Sequence, residues 1–399
     1  MSRRPLLFLV LLALLFVACG GDETTEPATP TAEEPTTTSS TVPPPTTTTT
    51  TTPPFNLINA PAELSAAVDS FYQYANGSSS TPPVAPDPVV AALTVGDHAT
   101  PTTGQATLGT FQGQQLAVVE AEGDTFLVVD DGSGWRIVGG DWPSVGVPAY
   151  FGAGPRFVAV VGSDARPGQE IDEKLADSIH FIGLDGAGGG AVVGLPRDSY
   201  VPVPGHGKRK ATASLALGGP ETMMATFTDL TGLPFEGYVM TGFAGFQEML
   251  GTVLGGVEVE VPFAINDRWA KATLEAGKQI LDGAQALGFA RARKTTGGDL
   301  VRSGHQGVIL LGAARAVQAM GYSAIPGLME AAEPHFITDL TPEQLFTFSA
   351  MSISADLSAV PNVVAQGRSG SAGGASVVFL NDSVADLWAD LADGTLEPQ

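Results

Sequence analysis

Four cations, Arg291, Arg293, Lys294 and Arg302, fall inside one stretch, Phe289–Gln306 (FARARKTTGGDLVRSGHQ), of a chain whose formal net charge is −23. Fourteen of the nineteen Lys and Arg residues lie between positions 156 and 302. Such clustering in an acidic chain points to capture of a phosphorylated, anionic ligand. Guanidinium matches phosphate oxygens bidentately. On an extended strand Arg291 and Arg293 share a face. Arg302 and Gln306, four apart at the start of a long helix, share a face near its positive end, which favours anions. Arg197 and the Lys208–Lys210 run add further charge. Asp164, Asp177 and Asp198 each stand at the end of an expected strand. Their hard oxygens suit Mg²⁺, which polarises a bridging phosphate, and a remaining carboxylate can accept the proton of an attacking hydroxyl.

Other chemistries are poorly supported. The single cysteine, Cys19, leaves no internal disulfide, no Cys-type zinc site and no thiol nucleophile in the globular part. No P-loop, Rossmann glycine pattern or nucleophile elbow is present. His98, His206 and His335 share no metal-ligand spacing. His180, in mid-strand, reads as structural, and His305 stands beside the cation cluster. The negative charge argues against a nucleic-acid partner.

The elements that must carry these residues alternate between strand and helix. Phe157–Gly162, Ser178–Leu184, Ala191–Leu195, Phe235–Met240 and Val257–Val261 read as strands. Helices are expected over Pro220–Thr231, with Pro220 in its first turn, over Phe243–Leu254, and from about Leu300 to Met320 with Asp299 as N-cap. Gly205–Lys210 reads as a basic loop. This order predicts an α/β/α-type sandwich with a mixed central β-sheet over 151–395. A small α+β module, one helix followed by antiparallel strands, is expected over 55–150. Residues 20–54, mostly Thr, Pro and Glu, cannot build a core and read as a disordered linker. At ~3.1 Å per residue it spans up to roughly 100 Å when extended.

Residues 1–19 combine Arg3 and Arg4 with a fourteen-residue apolar run ending at Cys19. That is short for a membrane span and fits a signal peptide. Phe16-Val17-Ala18-Cys19 resembles a bacterial lipobox, which implies a lipid anchor on Cys19; an uncleaved signal anchor is the other reading. Either places the chain outside the cytoplasmic membrane.

Nine short motifs in order resemble the LytR–CpsA–Psr family of cell-envelope phosphotransferases. They are Val161–Arg166, Ala176–Ser178, Leu195–Asp198, Lys210 before Ala211–Ala213, Gly218–Glu221, Leu254–Val257, Leu281–Leu287, Ala290–Arg293, and Gly298-Asp299 through Arg302 to Gln306. The resemblance implies transfer of a glycopolymer phosphate from a polyprenyl-diphosphate carrier to a peptidoglycan hydroxyl. It implies Mg²⁺ on Asp164 and Asp177, and catalytic roles among Asp164, Asp177, Arg197, Asp198, Arg291 and Arg293. Diphosphate contacts are implied for Arg197, Lys210, Arg291, Arg293, Arg302 and Gln306, and Arg166 matches a family position. An apolar tunnel between sheet and helices is implied for the prenyl chain, with Phe243, Phe246, Met249 and Leu250 as a wall. Leu175 and His305 stand where the family usually has arginine. A non-catalytic lipid-glycan binding or regulatory protein, and a polyprenyl-diphosphate phosphatase, remain alternatives.

Overall fold

The computed structural model describes residues 55–397 except Asn59 and 294–297. The signal sequence, Cys19, the Thr/Pro tract and Lys294 lie outside the described residues.

The first part is a six-stranded sheet. Its elements are β1 (Asn56–Ile58), α1 (Ala62–Ala75), α2 (Asp87–Ala92), β2 (Thr103–Phe111), β3 (Gln114–Ala121), β4 (Asp124–Asp130), β5 (Trp135–Trp142) and β6 (Val147–Tyr150), with strands in sequence order. β1 pairs parallel to β2 and the remaining pairs are antiparallel. The middle strands carry unbroken apolar runs, Leu116–Val119 and Phe126–Val129, and these are buried on both faces. Ala117, Val119, Phe126 and Val128 pack under α1, where Phe126 meets Phe71 and Trp142 edge to face and Phe71 tilts against Trp142, with centroids 5.1–5.7 Å apart. The alternate residues, Leu116, Val118, Leu127 and Val129, share a core with Ile325, Met329 and Phe346 from the last third of the chain. A sheet apolar on both faces needs cover on both, and one face of this one is covered by elements from later in the chain.

That domain adds β7 (Arg156–Ser163), β8 (Ala176–Leu184), β9 (Gly190–Gly194), β10 (Tyr200–Val203), β11 (Gly207–Lys210), α3 (Ala213–Thr231), β12 (Gly237–Thr241), α4 (Phe243–Glu248), a π-helical turn (Met249–Val253) and β13 (Val257–Val261). It continues with β14 (Ile265–Asp267), β15 (Ala272–Leu274), β16 (Gly277–Leu281), α5 (Gly283–Arg291), α6 (Gly298–Met320), α7 (Ile325–Ala332), β17 (Ile337–Thr338), α8 (Pro342–Ser354), β18 (Asn362–Val364), β19 (Gly367–Ala372), β20 (Ala375–Leu380) and α9 (Val384–Asp390). The central sheet runs β17-β12-β7-β8-β9-β18 and mixes parallel with antiparallel pairs. Helices cover both faces, as the alternation predicts. Phe157, Ala159, Val161, Ile179 and Phe181 face α3 and α9. Their neighbours in the alternation face the side on which α6 and α8 lie.

Three local expectations change. The basic stretch at 205–210 is not a loop: β11 pairs with β10 as a hairpin. Residues 367–374, which their glycines and serines would make a loop, hold a strand instead: Gly367–Ala372 pairs with β20. Both are polar hairpins whose pairing, not apolar periodicity, defines them. Helix α3 is continuous in extent but broken at Gly218 and Gly219. Gly219 adopts φ +67°, open to glycine without strain, so the second segment begins at Pro220 as its ring geometry favours.

Arg156 ties these layers together. It is 5 % exposed, and its fork meets Glu236 at 2.6 and 2.7 Å. It also donates to the carbonyls of Phe151 and Gln344 and to Thr347 Oγ1, each at 3.0 Å. A cation counted by sequence among those of the anion site is thus fully engaged in structure. Removing one partner of such a buried pair costs about 3–5 kcal/mol, whereas half-exposed pairs contribute under ~1 kcal/mol. Arg156→Met is therefore expected to lower the urea unfolding free energy by about 3–5 kcal/mol. Arg136→Met, which breaks the solvent-facing contact with Glu343, is expected to change it by less than ~1 kcal/mol; equal losses in the two would refute this ranking.

Candidate active site

The floor of the site is the α6-facing side of the sheet. Val160, Gly162, Ser178, Val239 and Thr241 lie side by side across β12, β7 and β8 and line a cavity of about 250 Å³. Its walls are Phe243, Phe246, Met249, Leu250 and Leu254 from α4 and the π-helical turn, Leu287 and Ala290 from α5, and Ile309, Leu310 and Ala313 from α6. The four residues expected to wall an apolar tunnel all line this cavity. Gly162 matters to its width. A Cβ there would sit 3.0 Å from Ser178 Cβ.

Charge gathers at one end. Arg291, Arg302, Gln306 and Asp177 line the cavity there. Arg302 is 4 % exposed and pairs with Asp299 one turn earlier. Burial, then Arg197 and Arg293, push its pKa down to about 10, against Asp299 and Asp177. It remains charged at neutral pH, and its Nε has no hydrogen-bond partner. Arg197 bonds Asp177. Burial pulls Arg197 down, but Asp177, Asp198 and Asp299 outweigh it and raise its pKa overall. Asp198 Oδ1 takes Lys210 Nζ at 3.0 Å and lies 3.9 Å from Arg197 Nε. Gln306 donates to the Ala290 carbonyl at 3.1 Å, which fixes the last turn of α5.

Arg291 and Arg293 do not share a strand. A capping box between Asp282 and Gln285 starts α5, and burial of Phe289 and Ala290 carries it to Arg291. Ala292 then turns extended and is fully buried. Arg291 lies over the Phe243 ring at 4.8 Å, on the cavity side. Arg293 is exposed, its backbone N–H donating to Asp267 at 3.0 Å. The two arginines reach one region by a helix end and a chain turn, not by sharing a strand face.

Of the aspartates, Asp164 and Asp177 stand on neighbouring strands where the register shifts. Gly162 pairs with Ser178 but Ser163 pairs with Ala176, which leaves Asp177 as the extra residue of a bulge. Bulges re-aim a side chain next to functional sites. Asp164 follows Ser163 directly and accepts from the Leu175 N–H at 3.0 Å. Asp198 stands apart, beyond Arg197, and Arg166 is exposed in the loop after β7 and lines no cavity described here. Among the described residues no three His, Cys, Asp or Glu side chains converge on one point.

Sequence reasoning missed two contributors. Asp299 was expected only to cap α6, yet it also neutralises Arg302; its spacing, i to i+3, is the helical pair signal. His180 is fully buried; its Nε2 donates to the Ser303 carbonyl at 3.0 Å, and Ser178 Oγ approaches Nδ1 at 3.3 Å. It fastens α6 to the cavity floor. His305 stacks on Phe289 at 4.4 Å. Burial pushes both histidines down to about 4, against backbone carbonyls that favour the protonated ring.

The model of the LytR_cpsA_psr family matches residues 150–392. A probable cell wall biosynthesis protein of Corynebacterium glutamicum, LcpB, is 39 % identical over 155 residues, 36 % of this chain and 37 % of the relative. The polyisoprenyl-teichoic acid–peptidoglycan teichoic acid transferase TagT of Bacillus subtilis is 31 % identical over 162 residues, 38 % of this chain and 50 % of the relative. The matches thus span half or less of these two relatives' length. In fold, the chain is similar to the crystal structure of B. subtilis TagV, with TM-score 0.52 and 21 % identity over 62 % of this chain and 100 % of that one.

Two expectations follow from the charges. Replacing Arg302 and Asp299 together by leucine is expected to leave stability unchanged or raise it by ~1–4 kcal/mol, as buried pairs often do when made apolar, while Arg302→Leu alone destabilises; urea titration distinguishes these. The histidines are neutral in the fold well below the ordinary value near 6.5. Their contribution is therefore complete above pH 6.5 and is lost as pH falls towards 4, on the order of 3 kcal/mol for each. His180→Gln is expected to flatten part of that loss, and an unchanged stability–pH curve would show that His180 plays no part in it.

Proposed function

Because this chain belongs to the LytR_cpsA_psr family, we propose that it transfers a glycopolymer phosphate from a polyprenyl-diphosphate carrier to a hydroxyl of peptidoglycan. The observation that carries this reading is the junction of an apolar cavity with Arg291 and Arg302 at its polar end. An amphiphile with a hydrocarbon tail and a diphosphate head fits both halves at once. TagT, by its name, acts on a polyisoprenyl-linked teichoic acid and on peptidoglycan.

The cavity between α4, α5, α6 and the sheet excludes water from the prenyl chain. Arg302 and Arg291 hold the phosphate nearest the lipid, and Arg197, Arg293 and Lys210 the phosphate that bears the glycan. Gln306 keeps Arg291 in place through the Ala290 carbonyl. The acceptor hydroxyl oxygen bonds to the glycan-bearing phosphorus as the bridging P–O bond breaks. The bridging electron pair leaves with the prenyl phosphate, and the hydroxyl proton passes to a carboxylate of the aspartate group. Arginines already oriented at the developing charge need no reorganisation during reaction.

Mg²⁺ fits the residues present. Asp164 and Asp177 stand on neighbouring strands where the register shifts and offer hard oxygens, and a magnesium ion needs only one or two protein carboxylates when phosphate and water complete its shell. It would supply neutralisation of charge on the diphosphate. Lipidation at Cys19 would hold the domain at the outer face of the cytoplasmic membrane on its Thr/Pro tether.

The test uses the purified full-length chain with Mg²⁺, a prenyl-diphosphate-linked glycan and peptidoglycan. Transfer is expected, chelation should stop it, and Arg291→Ala should lower it ~100-fold or more. Free phosphate as the sole product with acceptor present would make the protein a phosphatase. Lipid binding without turnover, indifferent to Arg291→Ala, would make it a carrier or regulator.

A further inference from the structure

The four strands that follow the π-helical turn form an arm. β13 and β16 pair as its base, β14 and β15 as its outer part, and residues 268–271 make the turn at its tip. One face of the arm is buried, where Val257, Val259, Ile265 and Leu274 share a core with Phe289 of α5. The tip is not buried. Trp269 is 71 % exposed, whereas Trp135, Trp142 and Trp388, the other three tryptophans of the chain, are 8 % exposed or less.

The turn is built to hold the indole out. Asp267, 2 % exposed, accepts the N–H groups of Trp269 at 3.0 Å and Ala270 at 3.3 Å. Lys271 closes the turn at φ +58°, a conformation that a residue with a Cβ keeps only where its surroundings impose it. The Arg268 guanidinium lies over the indole at 4.7 Å. Arg268 and Lys271 are exposed and make no ion pair among the described residues. The arm's exposed carboxylates Glu258 and Glu260 stand on its base, where Glu258 takes Lys278 at 3.2 Å. Charge along the arm is therefore graded, with bare cations at the tip.

This tip is seated beside the cavity. The other carboxylate oxygen of Asp267 accepts the Arg293 N–H at 3.0 Å, so one buried side chain holds both the turn and the backbone that leaves α5. The turn also approaches α5 closely, for a Cβ on Gly288 would sit 3.1 Å from the Lys271 carbonyl oxygen. Gly288 precedes Arg291, at the charged end of the cavity, by three residues, or ~4.5 Å along the helix.

An exposed indole between unpaired cations is the composition that anchors proteins in the headgroup layer of a membrane. Rings that stack on a small ligand stand in concave sites, whereas this one crowns a turn. We infer that the 268–271 turn docks on an anionic lipid bilayer, with Trp269 among the headgroups and Arg268 and Lys271 on their phosphates. Docking there brings the end of α5, with Arg291, to the same surface, so that a membrane lipid enters the cavity without its tail crossing open water. A transferase, a phosphatase or a carrier of such a lipid would dock alike, and a failed transfer assay leaves this inference standing.

The test places the full-length chain in proteoliposomes of phosphatidylcholine and phosphatidylglycerol whose acyl chains are brominated near the headgroup. Bromine quenches only an indole that reaches it. Quenching is expected, and Trp269→Phe should remove it, since the other three indoles are buried. The ratio of quenched to unquenched Trp269 measures the equilibrium between docked and undocked orientations. Arg268→Gln and Lys271→Asn should each lower it about fivefold, the effect of one cation at an anionic surface, and leaving out phosphatidylglycerol should lower it about twentyfold. Ile280→Ser removes a side chain 69 % exposed on the base, opposite Glu258, and should leave the ratio unchanged. Absence of quenching, quenching that survives Trp269→Phe, or equal quenching on neutral and anionic vesicles overturns the inference. A loss in Ile280→Ser as large as in the tip variants does so too. Indole emission untouched by vesicles but shifted by soluble peptidoglycan fragments would make the tip a glycan contact and overturn it as well.

Discussion

Guanidinium charge held at the edge of an apolar cavity is the condition to which the rest of this structure answers. Poorly solvated arginines repel one another and lose hydration. The two most buried are given carboxylates, Asp299 for Arg302 and Asp177 for Arg197, with Asp198 shared between Arg197 and Lys210, while Arg291 lies over the Phe243 ring. The compensation is incomplete, since Arg302 retains an unpartnered Nε and a depressed pKa. That deficit is what an anionic ligand relieves. Placement then follows from the surrounding elements. The bulge in β8 turns Asp177 towards the cavity, the capping box launches α5 so that it ends on Arg291, and His180 pins α6 over the floor.

The same network divides the neighbourhood into two kinds of space. On one side of Arg197 the lining is almost wholly hydrocarbon; on the other, Lys208, Arg209 and Lys210 stand beside Leu175, Tyr200, Val377 and small side chains. A ligand with one apolar and one polar end has a single sensible orientation across this divide. Orientation, in phosphoryl transfer, decides from which side the entering oxygen comes.

Legibility in the sequence was uneven, for physical reasons. Strands such as Phe157–Gly162 and helices such as Pro220–Thr231 are dictated by local pattern and stand where the pattern puts them. Arg302 and Gln306 share the cavity because helical spacing is rigid. The Arg291–Arg293 geometry was misread, because a short stretch of Phe, Ala and Arg suits either a strand or a helix end and only burial against β13–β16 and α6 decides. Counting cations overstated the site: Arg156 is occupied by Glu236, while Arg268 lies on Trp269 at 4.7 Å. The register shift beside Asp164 and Asp177 depends on pairing between strands, which no single-strand pattern contains.

One face of the first sheet is covered only by residues from far along the chain. Leu116, Val118, Leu127 and Val129 are covered by Ile325, Met329 and Phe346, and the Thr110 N–H is answered by Glu330, 220 positions later. While the chain emerges from the ribosome, this face must wait for its cover. Contacts of such long range make folding slow, and an uncovered apolar sheet attracts other chains meanwhile. Keeping this face apart from other chains until the last helices arrive is therefore as much a requirement of this architecture as the placing of any one side chain.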